Sequence, residues 1–166
     1  DTLTMALDSS KKGVIDEKTL RKIVLSYGGD ENVGASARLY LNKADLIAFG
    51  DVRGSDKKPV YEITPDAGNP NTGIIKDGGL AVPYTINSNL TALAGTAQSS
   101  TAVTNTMVYG DPMNYELGLF GDYTIEVSKD YKFAEGLLTV MGEVLAGGNL
   151  IKHHGFLVCQ IAKGTA

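Results

Sequence analysis

Leu20, Ile23, Val24 and Tyr27 recur at i, i+3, i+4 and i+7, one apolar face of an amphipathic helix. Asp16 reads as its N-cap, with Glu17 in the first turn, where the helix dipole favours negative charge. Gly28-Gly29 stops it, so the pattern predicts a helix over about residues 16–27. Residues 37–41 read as a strand with Leu39 and Leu41 on one side, and Asn42 then caps a short helix from Lys43 to about Phe49. Residues 50–58 form a polar turn region, 60–63 a short strand and 65–73 a Pro/Gly/Asn loop. Ahead of all this, residues 2–7 are too short to assign and 9–13 are a polar break.

In the second half the period changes from helical to two. Residues 79–87 alternate Leu80, Val82, Tyr84 and Ile86 against Ala81, Pro83 and Thr85, a strand. Pro83 donates no ladder hydrogen bond, which predicts an edge strand or a bulge there. Residues 91–106, rich in Ala, Thr and Ser, read as a flexible loop or tip. A strand resumes at 107–109. Asp111-Pro112 suits a helix start, and the pattern fits both a helix to Leu119 and a single turn yielding to a hairpin. Residues 123–128 alternate as a strand. From 135 to 146 the even positions Leu138, Val140, Val144 and Ala146 form an apolar row, and nine residues of it span roughly 30 Å. Glu143, Glu135 and Thr139 lie on the less apolar side. Gly147-Gly148 is expected to turn or bulge, and 156–162 is a final strand. The sum is an α+β fold, mostly antiparallel strands with two or three short helices.

Composition narrows the function. The 166 residues suffice for one domain or one and a half, and 43% are hydrophobic, so a core is expected. Twenty glycines favour turns and β structure over long helices. The net charge is −4, and the three arginines, Arg21, Arg38 and Arg53, are scattered, which argues against nucleic-acid binding. No apolar run reaches the ~18 residues of a spanning helix. No signal-peptide pattern opens the chain. The chain opens on Asp1 rather than Met, and the expectation is an internal fragment or processed product.

Candidate chemistry is sparse. His153-His154 is the only histidine pair; neighbouring strand residues face opposite ways, so a solvated turn is expected in place of a metal site. The lone Cys159 sits in an apolar strand without a group that would activate it, and one cysteine forms no internal disulfide. Residues 66–73 lack the acidic spacing and closing Glu of a calcium loop. Gly13 and the Gly pairs do not follow a strand as a phosphate-cradling loop would. Asn89-Leu90-Thr91 fits the N-glycosylation pattern but reads as a polar turn. No catalytic, cofactor-binding or metal-binding residue is assigned, and no enzymatic activity is expected.

A series of short motifs, in order, carries a resemblance. Leu39-Tyr40-Leu41-Asn42 runs into Lys43-Ala44-Asp45-Leu46, and Arg53-Gly54 precedes Pro59-Val60-Tyr61. Gly79-Leu80-Ala81-Val82-Pro83, Met107-Val108-Tyr109-Gly110-Asp111, Tyr123-Thr124-Ile125-Glu126-Val127 and the long strand through Val144 follow, with Phe156-Leu157-Val158 opening the last strand. This order resembles the C-terminal part of tailed-bacteriophage major capsid proteins, the Hong Kong 97-type fold.

The resemblance implies a structural protein: a phage or prophage major capsid subunit, made in the bacterial host cytoplasm, that self-assembles into an icosahedral virion shell enclosing DNA. Its partners would be copies of itself in hexamers and pentamers, and other virion assembly proteins, with no specific nucleic acid and no membrane. It implies a remnant of an upstream peripheral region at 1–11, an axial domain at 12–140, and strands returning to the peripheral domain at 141–166. The family's N-terminal arm, extended loop and spine helix have no counterpart in these residues. Some relatives weld neighbours by a Lys–Asn isopeptide bond assisted by a Glu. Glu143 resembles that Glu, but the Asn position is matched by Gly136, which implies no such cross-link. An encapsulin-like nanocompartment shell is one alternative, and an unrelated α+β enzyme or binding domain another.

Overall fold

The structure, a computed structural model, describes residues 1–28, 36–128 and 133–164. In chain order its elements are β1 (Thr2–Thr4), α1 (Thr19–Leu25), β2 (Arg38–Leu41), α2 (Lys43–Asp51), β3 (Glu62–Asp66), β4 (Asn69–Asp77) and β5 (Leu80–Ile86). Then come β6 (Thr104–Gly110), β7 (Tyr115–Ser128), β8 (Thr139–Leu150) and β9 (Phe156–Ile161). The architecture is α+β, with strands predominating. It divides into two units, Asp1–Asn114 with Lys152–Ala166, and Tyr115–Ile151.

The larger unit is a seven-stranded sheet in the order β1-β9-β6-β2-β5-β4-β3. Most pairs are antiparallel; β1 with β9 and β2 with β5 run parallel. Register carries one row of side chains across five strands: Leu157 opposes Tyr109, Tyr109 opposes Leu39, Leu39 opposes Tyr84, and Tyr84 opposes Gly73. All five are buried. The period of two in each strand therefore places one side of the sheet on one core. Leu20 and Ile23 of α1 and Phe49 of α2 belong to that core, and Phe49 meets Tyr61 edge to face with centroids 5.1 Å apart.

Several expectations meet a correction. The first helix is shorter than 16–27, because Asp16 closes a turn ahead of it. Its Oδ1 accepts from Lys18 N–H (2.9 Å) and Thr19 Oγ1–H (2.8 Å), and Asp16 N–H donates to Thr19 Oγ1 (2.9 Å). Gly28 takes φ 78°, as a stop requires; Gly29 lies outside the described residues. Asn42 caps as expected, accepting from Ala44 N–H at 3.0 Å, and α2 runs on to Asp51.

The 65–73 loop is instead the body of a hairpin, with Ile63 opposite Ile75, Thr64 opposite Ile74 and Pro65 opposite Gly73. Pro65 is tolerated because β3 is the sheet's edge. Gly73 is a packing residue rather than a loop residue. A Cβ there would collide with the Thr64 carbonyl oxygen and come within 2.8 Å of the Pro65 Cα and the Tyr84 ring. Pro83 lies in an interior strand, yet the ladder to β2 starts only at Tyr84, so no bond is lost to it there.

Residues 91–103 are anchored rather than a free tip. Leu93 is fully buried, and Leu93 and Ala94 donate their N–H groups to the Asp45 carboxylate at 3.0 and 2.8 Å. Gly13 N–H donates to Thr96, and Gly95 N–H donates to Gly13. The 11/12 boundary that the resemblance implies lies in the turn region between β1 and α1. The expected 140/141 division falls inside β8.

Two outcomes follow from this packing. Gly73→Ala is expected to lower stability by about 1–3 kcal/mol, read from the urea midpoint, because backbone lines the space the methyl needs. Burial raises the Asp45 carboxyl pKa above its ordinary 3.8, against the two N–H bonds that lower it. A raised folded-state value means this group's contribution is complete below pH 3.8 and is lost as pH rises through the raised value. Wild-type stability minus that of Asp45→Asn, measured from pH 3 upward, is therefore expected to fall.

Candidate assembly surface

The second unit is a two-stranded antiparallel ribbon, β7 against β8, running from Tyr115 opposite Leu150 to Ser128 opposite Thr139. Of the two readings at Pro112, the structure takes the single turn: a 3-10 turn at Pro112–Asn114, then strand. Between Phe120 and Thr124 the register shifts, with Gly121 at φ 91°, so the bulge lies in β7 and not at Gly147-Gly148. Those two glycines stay in β8 because aromatic rings cover them. A Cβ on Gly148 would collide with the Tyr115 hydroxyl, and one on Gly147 would lie 3.0 Å from the Phe120 ring.

Cross-strand register sorts the side chains into two faces. One face takes Tyr115, Leu117, Leu119, Ile125 and Val127 from β7. Opposite them stand Leu150, Gly148, Ala146, Gly142 and Val140 of β8, with Val144 on the same side by alternation. None of these paired residues is charged. The Tyr123 hydroxyl lies above Gly142, 2.9 Å from where its Cβ would be. The other face is mixed: Glu116, Phe120, Thr124, Glu126 and Ser128 face Asn149, Leu145, Glu143, Met141 and Thr139. Glu143 thus falls on the polar side, as the alternation predicts, opposite Thr124.

The apolar face is exposed along its length, Leu117 and Leu119 at 67%, Ile125 at 61% and Val140 at 63%. A two-stranded ribbon has no second layer on which to bury them. The even-numbered β8 row was legible in the sequence. Its β7 counterpart was missed because the Pro112 helix start competed with the alternation Tyr115, Leu117, Leu119.

Within the larger unit, the segments entering and leaving residues 115–151 are bonded to each other. Asn114 Nδ2 donates to Gly155 O (3.0 Å) and to the Tyr27 hydroxyl (3.2 Å), which also accepts from Asp111 N–H (3.3 Å). Burial pushes the Tyr27 phenol pKa up. Gly155 is required here, since a Cβ would lie 2.8 Å from the Asn114 Cβ.

The candidate chemistry is dispersed. His153 and His154 sit in the turn before β9 with ring centroids 3.7 Å apart, and His154 Nδ1 lies 2.5 Å from Asp1 Oδ1. Adjacent residues of a turn, unlike those of a strand, bring their rings together. Among the described residues no group of three or more His, Cys, Asp or Glu is placed to hold a metal ion. Cys159 is buried in β9, and burial pushes its thiol up to about 12, so it is held protonated. A concavity of about 780 Å³ is lined by Asp8, Asp16, Glu17, Asp51, Lys18 and Arg53 among others. Asp8 and Asp16 are engaged in local turns and Arg53 donates to Gly50 O, so no convergent set forms there. Among the described residues no helix is long and apolar enough to cross a membrane.

The fold is that of phage-type capsid proteins. The chain superposes on a capsid chain of an empty GTA (gene transfer agent) particle with a TM-score of 0.61 and 14% identity, over 97% of this chain and 49% of that one. It superposes on a capsid chain of the native GTA particle with a TM-score of 0.59 and 16% identity, over 97% and 54%. The chain spans about half the length of these neighbours. No family profile and no curated protein sequence matches it.

Asn114→Ala is expected to lower the urea midpoint by the equivalent of about 1–3 kcal/mol, because it leaves Gly155 O and the Tyr27 hydroxyl short of a buried donor. Ala substitution of the exposed Asn149 leaves the midpoint within about 0.5 kcal/mol.

Proposed function

We propose that this chain is part of a phage-like major capsid subunit, a structural and non-enzymatic protein whose copies assemble in pentamers and hexamers into a closed icosahedral shell around DNA. The observation that carries the reading is the capsid fold over 97% of the chain. An exposed apolar ribbon supports it, because a shell protein works through surfaces repeated by symmetry and through many modest contacts made at once. The net charge of −4 fits a container that encloses a polyanion without gripping it.

In this reading the seven-stranded unit is the axial domain, grouped around capsomer axes, and the ribbon belongs to the peripheral domain. The resemblance implies a boundary at 140/141; this reading sets the boundaries at 114/115 and 151/152, where the two compact units divide. The subunit is made in the host cytoplasm and ends in the virion, alongside other assembly proteins. Gly136, exposed and without a side chain, offers no amide for an isopeptide weld.

Negative-stain microscopy of particles purified from cells making the protein tests the proposal. Closed shells holding nuclease-protected DNA are expected, and their subunits should run as single chains on a denaturing gel. Shells filled with protein cargo would mean a nanocompartment instead. A whole subunit containing this chain that stays unassembled at high concentration would sink the shell reading.

A further inference from the structure

We propose that residues 90–96 form a strap whose grip on the first turn of α2 is set by the charge of Asp45. The strap stays closed over a neutral carboxyl and opens more often once that carboxyl is ionised. The inference concerns the interior of the larger unit and is independent of the shell reading.

The strap's place in the chain permits such a motion. Between β5 and β6, residues 87–103 contribute no helix or strand, only a single bridge from Ala97 to Lys12. Lifting residues 90–96 therefore breaks no ladder of the seven-stranded sheet. A short set of bonds holds them down. Asn42 Nδ2 donates to Leu90 O at 2.8 Å, and Leu93 and Ala94 donate their N–H groups to Asp45 Oδ2 and Oδ1. Gly13 N–H donates to Thr96 O, and Gly95 N–H donates to Gly13 O. A segment outside the ladders and held by few bonds can open by itself, without global unfolding.

Leu93 is the constant part of the fastening. Its side chain is fully buried, and a Cβ on Gly13 would collide with the Leu93 carbonyl oxygen and lie 2.7 Å from Leu93 Cδ1. Burial of that side chain favours closure at every pH.

Asp45 is the variable part. It is fully buried, and among the described residues no ion pair reaches it. In the closed strap two neutral backbone N–H groups replace the water around an ionised carboxylate. Closure therefore costs the ionised form more than the neutral one, and opening returns the charge to water. Residues 90–96 carry no titratable side chain. From β9 the Cys159 thiol feels the Asp45 charge; burial first and that charge second hold it protonated, so it supplies no countercharge. Burial likewise raises the Asp45 carboxyl, outweighing the two N–H bonds that lower it. Opening is accordingly rarest below pH 3.8 and grows as pH rises through the raised value.

Native-state hydrogen exchange at the Leu93 and Ala94 amides tests the strap. At pH 7 both are expected to exchange through an opening that low urea does not accelerate, while amides of the β4–β5 ladder follow global unfolding. Corrected for the intrinsic rate of amide exchange, that opening is expected to be at least about threefold rarer at pH 4 than at pH 7. Asp45→Asn removes the titration, and the pH dependence of the opening is expected to vanish with it. The wild-type profile decides the matter alone should that variant fail to fold. Exchange at Leu93 and Ala94 that rises with urea in step with the ladder overturns the strap. An opening that is unchanged between pH 4 and pH 7, or rarer at pH 7, overturns the role of Asp45, as does a pH dependence that survives in a folded Asp45→Asn.

Discussion

One crowded point organises the larger sheet: the Tyr84 ring occupies the place where a side chain on Gly73 would stand. Tyr84 can lie there only because the residue opposite it is a glycine, and the Thr64 carbonyl closes the same space from the next strand. From that point the buried row continues through Leu39 and Tyr109 to Leu157, so β4, β5, β2, β6 and β9 share one register against one core. A slip of one residue in any of these ladders would turn its buried set toward solvent. The helices, the Asp45 anchor under Leu93 and the Asn114–Gly155 bond are consistent with this frame rather than sources of it.

The ribbon follows a different rule. Seven strands with a buried side stabilise each other; two strands alone bury neither face. What holds β7 to β8 is their ladder and the aromatic rings over glycines: Tyr115 at Gly148, Tyr123 at Gly142, Phe120 at Gly147. The remaining apolar side chains meet only cross-strand neighbours, as Val127 meets Val140, and stay largely exposed. Globular units balance charge and bury apolar surface, as the larger one does, with 13 acidic and 13 basic residues. The smaller one carries six acidic and two basic residues, and its apolar side chains are half to two-thirds exposed.

Burial holds the Cys159 thiol protonated and the Asp45 carboxylate is spent on two backbone N–H groups, so the reactive side chains nearest the core serve the fold.

Local rules were sufficient for much of this. Helical spacing at Leu20, Ile23 and Val24, the Asn42 cap, and alternation in β5, β8 and β9 were legible because each is a property of neighbours along the chain. The α+β class and the capsid resemblance came from the order of such segments. Other features depended on residues distant in sequence. Gly73 looked like a loop residue until Tyr84 lay against it, and residues 91–103 looked free until Asp45 reached their N–H groups. Gly147-Gly148 looked like a turn until the rings of Tyr115 and Phe120 covered them. The sequence by itself determined the two helices, the alternating strands β5, β8 and β9, and which side of each is apolar. Only the tertiary structure decided which apolar sides are buried, because burial is set by whatever lies opposite, and register between strands far apart in sequence settles that.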